Sequence, residues 1–544
     1  MENRRAYVFV VVAWLLWPLM VLGGDEQAAL KAKFQTSDRC VACHNGLSTP
    51  TGRDVSIGLA WRASIMANAS RDPYWHASVR REIMDHPTAA GEIQDECSIC
   101  HMPITRYEAK ERGQKGEVFS LLPFSAHPEA SAAEDGVTCS VCHQISKAKL
   151  GTRESFNGGF VVAPPPNEHD RPEYGPFEVT QGHQKIMDSS TGGFLPVLAQ
   201  HIQDSALCGS CHQLYTTALD DNGKEMGHFP EQMPYLEWLH SDYPGAFTCQ
   251  ACHMPEVDEP VQISSVLGEP RTGVRHHVFT GGNFLVLRML NRYRAELNVA
   301  ALPQELDAAA EGTLAFLHSQ AARVSIRKVE AISGKLQAEV LVENQTGHKL
   351  PTAYPSRRAW LHFVVRDENG KTVFESGALN PDGSIQGNDN DADKTRYEPH
   401  YREITSSDQV EIYEPILGDS ENKVTTGLIG AVGYLKDNRL LPSGFDKGTA
   451  EKDIAVAGDA LDDPNFTGGS DTVLYSLPIG DASGPLHIEV ELWYQPVGFR
   501  WAHNLDSYKS TETQRFVSYY DSMANTTATV LARAEATWQG VSSK

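Results

Sequence analysis

All ten cysteines of this 544-residue chain belong to one repeated five-residue pattern. In each copy two cysteines are separated by two residues, and a histidine directly follows the second cysteine. The cysteines are Cys40, Cys43, Cys97, Cys100, Cys139, Cys142, Cys208, Cys211, Cys249 and Cys252, and the histidines are His44, His101, His143, His212 and His253. This pattern is the attachment sequence of c-type haem, in which two thiols form thioethers and the imidazole binds the iron from the proximal side. The sequence therefore predicts five covalently attached haem c groups.

Zinc ribbons and disulfides are the alternatives for paired cysteines. A tetrahedral zinc site uses two Cys-X-X-Cys halves, which leaves the fifth pair over and gives the five histidines no role. A disulfide framework does not repeat one local spacing or add a histidine each time. Covalent haem is therefore the interpretation that accounts for every cysteine.

The amino terminus is typical of an export signal. Arg4 and Arg5 precede an apolar run over 6–22, and Gly23 and Gly24 come before a polar stretch. We expect a signal peptide over residues 1–24, with an uncleaved membrane anchor as the alternative. Because thioether attachment takes place outside the cytoplasm, a periplasmic, cell-surface or extracellular location in a Gram-negative bacterium is expected. Contact with a membrane is expected only if this segment stays uncleaved.

The motifs divide the chain into a haem half and a haem-free half. We predict a pentahaem domain over 25–300, a linking helix over 301–323 and a haem-free domain over 324–544. The fold class is α+β in two parts, a mainly helical and loop multihaem domain followed by an antiparallel β-sandwich. Helices are predicted over 60–81 (interrupted by Pro73), 283–299 and 306–322, and the insert between the third and fourth motifs is expected to be mostly loop. Strands are predicted over 336–342 and 487–494, and a hairpin over 360–365 and 372–374.

Each haem iron also takes a sixth ligand or keeps an open site, and this choice separates electron transfer from chemistry on a substrate. His348 is the unusual candidate because it comes from the haem-free half, so that it would lock the two halves together. The alternative is a loop histidine that is hydrogen-bonded to a turn. The candidates are His277, His201, His348, His127, His183, His76 and Met66.

Two further groups of charged residues suggest ion binding. Asp389, Asp391 and Asp393 offer alternating oxygen ligands for calcium, although the glycine and glutamate of an EF-hand loop are absent and a solvated turn is the alternative. Arg357 and Arg358 are candidates to pair with a haem propionate, or else form a surface pair.

The net charge of −23 limits the partners. It excludes a general role in nucleic-acid binding and favours basic or small partners. We expect other redox proteins, acting as electron donor and acceptor. An oligomer or a surface assembly, with the haem-free domain as its docking module, is a further interpretation.

Several segments carry a resemblance to a known group. Residues 61–76 and 135–143 and the two Cys-His-Met-Pro sequences resemble multihaem cytochromes that are related to the tetrahaem cytochrome c family of nitrifiers. Residues 346–351, 355–358 and 434–441 resemble the haem-free carboxyl-terminal domain of the same group. The resemblance implies extracytoplasmic electron transfer through mostly bis-histidine haems.

Two functions remain open from the sequence. The first is an electron carrier whose haems pass electrons between redox partners, including extracellular ones. The alternative is an oxidoreductase in which one open haem acts on a small inorganic substrate. In the nitrite-reductase group, a lysine after Cys-X-X-Cys marks the catalytic haem, whereas all five motifs here have histidine at that position. The sequence therefore favours the carrier, with no catalytic residue assigned.

Overall fold

The computed structural model describes residues 33–122, 127, 129–165, 170–220, 222–478 and 484–540. The predicted signal peptide lies outside these residues. Within the described ranges, no helix is long and apolar enough to cross a membrane. The structure confirms the α+β class, with short helices in the first half and most of the sheet structure in the second.

The haem half consists mainly of short helices joined by irregular segments. The helices are α1 (Asp38–Val41), α2 (Ile57–Arg62), α3 (Pro73–Asp85), α4 (Ala90–His101), α5 (Pro103–Glu111), α6 (Ala130–Glu134), α7 (Cys139–Gln144), α8 (Gln181–Thr191), α9 (Ser205–Gly209), α10 (Pro234–Leu239), α11 (Cys249–His253) and α12 (Phe284–Arg292). The long helix α13 (Pro303–Gln320) follows and leads directly into the haem-free half. The predicted helix over 283–299 is therefore shorter than expected, whereas the helix predicted over 306–322 is found at nearly the expected place.

The insert between the third and fourth motifs is more ordered than predicted. It contains β1 (Arg171–Gly175) and β2 (Phe194–Leu198), which pair in parallel, with α8 between them. A second small sheet pairs β3 (Leu214–Leu219) and β4 (Glu225–Gln232) in antiparallel orientation. Most of the described residues of this insert still lie outside α-helices and strands, as predicted. The helix within it is delimited by Thr180, which accepts a hydrogen bond from His183 N–H, and by Gly192, which ends α8 with a left-handed backbone.

The predicted helix over 60–81 is two helices in the structure. Pro73 stands in the first turn of α3, where the missing N–H of proline has no cost. The carboxylate of Asp72 caps this turn by accepting hydrogen bonds from the backbone N–H groups of Tyr74 and Trp75 at 2.8 and 3.3 Å. Proline therefore starts a helix here instead of interrupting one.

The haem-free half is built on two main sheets. The first has the strand order β10 (Ile412–Tyr413), β7 (Arg358–Asp367), β15 (Leu486–Gln495) and β16 (Thr529–Trp538), and β8 (Thr372–Ser376) also pairs with β7. The second has the order β5 (Ala322–Ile332), β6 (Lys335–Asn344), β14 (Ser470–Pro478) and β9 (Glu403–Ile404). A smaller sheet has the order β12 (Val424–Thr425), β11 (Pro415–Asp419) and β13 (Ala431–Asp437). Helices α14 (Asp389–Ala392), α15 (Phe499–His503) and α16 (Thr511–Asp521) lie between the strands in sequence.

The two main sheets enclose a common apolar core. Phe363 of β7 stacks on Tyr475 of β14, with ring centres 3.8 Å apart and an angle of 9° between the ring planes. Side chains of β6 alternate between buried and partly exposed, as expected of a strand with one face in a core. The predicted hairpin is formed by β7 and β8. One difference from the predicted antiparallel sandwich is that β9 pairs with β14 in parallel.

The two halves share one apolar core and are joined by ion pairs. The same cluster of buried side chains includes Phe284 of α12 and Val340 of β6. Arg80 of α3 donates two hydrogen bonds to the Glu512 carboxylate of α16, at 3.0 and 2.9 Å. These contacts hold the haem-free half at a fixed position relative to the haem motifs.

Candidate haem centres

Each motif lies in or at the end of a short helical turn. The second motif ends α4, the third begins α7, and the fifth occupies α11. Two cysteines three residues apart on a helical turn point to the same side of it. All ten cysteines are free thiols. The motifs therefore present paired thiols and an adjacent imidazole, as thioether attachment requires.

Four of the five motif histidines use Nδ1 to bind a backbone carbonyl. Nδ1 of His44 lies 2.5 Å from the Ile263 oxygen, and Nδ1 of His101 lies 2.8 Å from the Ala69 oxygen. The other two contacts are His143 to Tyr174 at 2.6 Å and His253 to Thr280 at 2.5 Å. A donor at Nδ1 fixes the tautomer and leaves the Nε2 lone pair for a metal. These rings therefore have the form that a proximal haem ligand needs.

Two of the predicted distal histidines face a motif histidine. The ring centres of His143 and His277 are 6.4 Å apart with 17° between the planes, and those of His253 and His348 are 6.2 Å apart with 14°. Metal–nitrogen bonds of about 2 Å on both sides of one iron place two imidazole centres about 6 Å apart. The Nδ1 atoms of both distal rings lie 2.9 Å from a backbone carbonyl oxygen, of Arg275 and Lys349 respectively. Both pairs thus have the spacing and the tautomer of bis-histidine iron ligands, and this donor set fits haem c.

Burial keeps these imidazoles uncharged. It lowers the pKa of His277 to about 3 and that of His348 to about 4, and the facing motif histidine lowers each pKa further. A neutral imidazole is the form that binds a metal. The pairs are therefore in the right protonation state at neutral pH.

Three other predicted candidates have their ring nitrogens engaged elsewhere. His76 contacts the Ser70 carbonyl through Nε2 at 2.8 Å and accepts from Arg515 through Nδ1 at 3.1 Å. His183 is hydrogen-bonded through both nitrogens, to the Leu267 carbonyl and the Thr180 hydroxyl. His201 bonds the Ile145 carbonyl through Nε2 at 2.8 Å. These contacts do not favour the three as iron ligands, because the nitrogen that would face a metal already has a partner.

The last two candidates stay predictions. His127 is an exposed residue whose Nδ1 accepts a hydrogen bond from the Glu129 N–H. Met66 is half-buried between α2 and α3, and its carbonyl accepts from the Val137 N–H at 3.0 Å.

The loop that carries His348 is fixed by hydrogen bonds at its base. Asn344 donates from Nδ2 to the carbonyls of His348 and Leu440 at 2.8 and 3.0 Å. Thr346 donates from Oγ1 to Asn344 Oδ1 and to the His348 carbonyl. The backbone of His348 is therefore held from both sides.

A buried ionic network lies directly beside this loop. Lys349 donates from Nζ to Asp437 at 2.6 Å, and its backbone N–H donates to Glu237 at 3.1 Å. Arg439 pairs with Asp437 at 2.7 Å and with Glu237 at 3.0 Å. The exposed fraction of these four side chains is 5% or less. Because Glu237 belongs to α10 in the haem half, the network ties His348 to the segment between the fourth and fifth motifs.

The remaining motif histidines have different surroundings. The indole of Trp75 stacks on the His101 ring with centres 4.3 Å apart and 1° between the planes. The backbone N–H of His212 donates to the Cys208 carbonyl at 2.8 Å, but within the described ranges its imidazole has no hydrogen bond or ring contact. Burial and then the charge of the fifth-motif histidine and of Arg357 lower the pKa of His212 to about 4. Neither the role of Trp75 nor the ionic network was predicted from the sequence, because the residues that contact one another in each case are distant in the chain.

The motifs adjoin one another in a defined order. The Cys139 N–H donates to Ser37 Oγ, beside the first motif, at 3.4 Å, and the Cys249 N–H donates to Ser205 Oγ, beside the fourth motif, at 3.0 Å. Cys100 of the second motif contacts Cys211 of the fourth, with its sulfur 3.9 Å from the Cys211 carbonyl. The first motif therefore adjoins the third, and the fourth adjoins the second and the fifth.

The predicted calcium ligands face separate partners. Both oxygens of Asp391 accept from Arg358, at 2.8 and 2.9 Å. Asp389 pairs with Arg396, and Asp393 accepts from the backbone and hydroxyl of Thr395. This arrangement does not favour a shared calcium site. Because the buried Arg358 is already paired with Asp391, Arg357 is the remaining candidate for a propionate partner.

Comparison with known proteins gave one structural similarity. No protein-family model matches the chain, and no curated protein sequence matches it. Among solved structures, the fold is similar to the penta-heme cytochrome c552 from Thermochromatium tepidum, with a TM-score of 0.48 and 14% identity. The alignment covers 93% of this chain and 100% of that one. A similarity of this size does not assign the chain to a family.

Proposed function

We propose that this chain is an exported pentahaem c-type cytochrome that carries electrons between redox partners. The observation that carries the proposal is the pair of facing imidazoles at His143/His277 and His253/His348, 6.4 and 6.2 Å apart. Haem c supplies one-electron Fe(III)/Fe(II) chemistry when it is bound. Two strong nitrogen ligands leave no coordination position for a substrate, so these two sites favour electron transfer.

The order of the motifs supports a connected path for electrons. The fourth motif contacts the second through Cys211 and Cys100, and it adjoins the fifth through the hydrogen bond between Ser205 and Cys249. Val141 of the third motif and Cys211 of the fourth belong to the same apolar cluster, so the third motif lies beside the fourth. We infer an array from the first through the third to the fourth motif, where it branches to the second and the fifth. Electrons that enter at any motif would reach every other through neighbours.

The haem-free half then has a direct part in the function. It contributes His348 to the fifth motif and the Lys349–Asp437–Arg439 network that holds this ligand in place. A second role in docking a donor, an acceptor or a surface assembly is compatible with this one. The partners we propose are redox proteins on the extracytoplasmic side.

An enzyme with one open haem is the second candidate, and His212 is the observation that favours it. Within the described ranges no second imidazole faces His44, His101 or His212. Burial, the charge of His253 and the charge of Arg357 lower the pKa of His212, and it is the one of these three rings on which a guanidinium acts. An open iron beside a guanidinium would suit a small inorganic anion.

Carbon monoxide binding separates the two functions. The holoprotein is reduced with dithionite and exposed to carbon monoxide while the visible spectrum is recorded, and a pyridine haemochrome assay gives the number of haems. Five haems per chain and an unchanged spectrum support the carrier. Binding to about one haem in five supports the enzyme, and nitrite, hydroxylamine and peroxide are then the substrates to test. A His348→Ala variant serves as the positive control, because it opens one position.

A further inference from the structure

A cluster of metal-ligand side chains lies in the haem-free half, apart from the haem motifs. His400 precedes β9, Glu411 precedes β10, and Asp471 lies in β14. One imidazole nitrogen and one oxygen of each carboxylate all lie within 4.8 Å of one another. The three side chains are buried, with 0% of the His400 and Glu411 side chains and of residue Asp471 exposed. In the part of the chain that the structure describes, no other three such residues converge in this way.

The imidazole of His400 is oriented by carboxylates on both sides. Its Nδ1 lies 2.8 Å from Glu411 Oε1, and its Nε2 lies 3.2 Å from Asp463 Oδ2. Metal-binding histidines commonly donate their second N–H to a carboxylate, which fixes the ring and strengthens the ligand. Asp463 occupies that position behind His400, so Nδ1 is directed at Glu411, with Asn438 Nδ2 also 3.3 Å from it.

The two facing carboxylates have the hydrogen bonds of anions. Asp471 accepts from the Tyr413 hydroxyl at 2.8 Å and from the Thr472 N–H at 2.7 Å, one on each oxygen. Glu411 accepts from the Tyr401 N–H at 2.6 Å and from Asn438 Nδ2 at 2.7 Å. Within the described ranges, Asp471 forms no ion pair and Glu411 pairs only with His400. A buried carboxylate without a cation is costly.

The neighbouring cations are engaged with other groups. Lys436 donates to the Ile412 carbonyl at 2.8 Å and pairs with Glu414 at 3.4 Å. Arg402 is half exposed and reaches only Asp463, at 3.8 Å. Lys447 donates to the carbonyls of Ala460 and Asp463. In the described ranges, no lysine or arginine therefore pairs with Glu411 or Asp471, and the proton on the His400 imidazole is the compensating charge where the three side chains meet.

We propose that His400 Nδ1, Glu411 and Asp471 bind one non-haem divalent cation of the Zn²⁺ or Mn²⁺ class. One imidazole with two carboxylates is a donor set that both ions accept. The cation takes the place of the proton on Nδ1, while Nε2–H stays on Asp463. Because β10 belongs to one main sheet and β14 to the other, the ion joins the two sheets beside the parallel β9–β14 pair.

Metal analysis of the haem-loaded protein tests this site independently of the haems. The protein is dialysed with EDTA, then against ZnCl₂ or MnCl₂, and then against metal-free buffer, before zinc, manganese and iron are measured by plasma mass spectrometry. We expect one Zn²⁺ or Mn²⁺ per chain beyond the haem iron, and a melting temperature that rises on metal addition. Glu411→Gln and Asp471→Asn should each lower the metal content by at least tenfold at equal haem content.

A second histidine between two carboxylates provides the matched control. His362 lies 2.9 Å from Glu375 and 3.3 Å from Glu491, but Arg533 also binds Glu491 and thus supplies positive charge. Glu491→Gln should keep the metal content of the wild type. The proposal is overturned if the wild type takes up neither ion, or if Glu411→Gln and Glu491→Gln lose metal equally. Should the Glu411 and Asp471 variants fail to fold, the wild-type uptake alone decides.

Discussion

The two facing imidazole pairs differ in where their distal ring comes from. His277 follows the fifth motif in the haem half, whereas His348 lies on a loop of the haem-free half. Each is fixed through Nδ1 to a backbone carbonyl, which leaves Nε2 as the metal-binding nitrogen. At the residue scale, the ligand atoms are therefore positioned by main-chain contacts.

Replacement of one distal ring should change one haem and spare the rest. We expect His348→Met to raise the reduction potential of a single haem, because a methionine ligand raises the potential relative to histidine. A potentiometric titration followed by visible absorbance measures this. His487→Met is the control, since His487 is an exposed residue of β15. Equal titration curves for both variants would contradict the assignment of His348.

The buried ionic network should matter for stability as well. Burial alone would raise the pKa of Asp437, but Arg439 and Lys349 together hold it well below the usual range. Removal of one partner from a buried network costs about 3–5 kcal/mol, so Asp437→Asn should lower the free energy of unfolding by that amount. The stabilisation is present above the pKa of an unfolded aspartate, about 3.9, and is lost as pH falls below it. Denaturant unfolding followed by circular dichroism measures both effects.

An exposed ion pair supplies the comparison for that variant. The side chains of Arg53 and Asp258 are 54% and 81% exposed, and their pair distance is 2.7 Å. Asp258→Asn should cost less than about 1 kcal/mol. If Asp437→Asn costs no more than Asp258→Asn, the network does not hold the His348 loop.

The proposed haem attachment residues follow from the sequence alone, whereas most of the proposed ligand pairs do not. Attachment is a local property, because Cys40 and His44 lie within one helical turn. His348 was predicted as a ligand from its unusual place, yet nothing in the sequence separated it from His201 or His183. The three histidines differ in which backbone carbonyl the imidazole contacts and through which ring nitrogen. For His201 and His183, those contacts join segments that are distant in the sequence.

At the scale of single elements, the fourth motif shows why its variable residues are small. A Cβ atom at Gly209 would lie 2.8 Å from Tyr235 Cγ and 3.1 Å from both Cδ atoms. The Tyr235 ring is held between Phe156 and Trp238, with centres 5.9 and 5.8 Å away. The ring therefore cannot move aside easily.

Substitution of this glycine should destabilise the fourth motif. We expect Gly209→Ala to lower the free energy of unfolding by about 1–3 kcal/mol, the usual cost of overpacking. Gly312→Ala is the matched control, because Gly312 lies in the exposed middle of α13 with no atom within 4 Å of its Cβ position. The control should gain up to about 1 kcal/mol from helix propensity. A gain in both variants would refute the packing argument.

Periodicity predicted the elements of the haem-free half better than those of the haem half. The strands predicted over 336–342 and 487–494 lie within β6 and β15, since each packs one face on a shared core. The element around Pro73 was misread because proline is compatible with a helix start as well as with a break. In the insert before the fourth motif, the parallel β1–β2 pair joins segments that no local pattern connects.

At the scale of the whole molecule, two features bear on function: an apolar cluster common to both halves and the net negative charge. The core runs from α12 into both main sheets, so the two halves are packed together. The net charge of −23 acts on every approaching partner. Electrostatic attraction raises the association rate of cations and is screened by salt.

The charge predicts the salt dependence of reduction. The rate of reduction by hexaammineruthenium(II), a cation, should fall as NaCl is raised from 10 to 500 mM. The rate with the anion Fe(II)-EDTA should rise over the same range. Stopped-flow absorbance measures both rates. The same salt dependence for both reductants would mean that the overall charge does not govern access to the haems.

Iron anomalous diffraction from crystals of the holoprotein would locate the haem irons relative to both imidazole pairs. Five iron positions per chain are expected, each beside one of the five motif histidines. One iron should lie midway between His143 and His277, and another midway between His253 and His348. An iron beside His143 or His253 with the opposite ring turned away would contradict the proposed bis-histidine ligation.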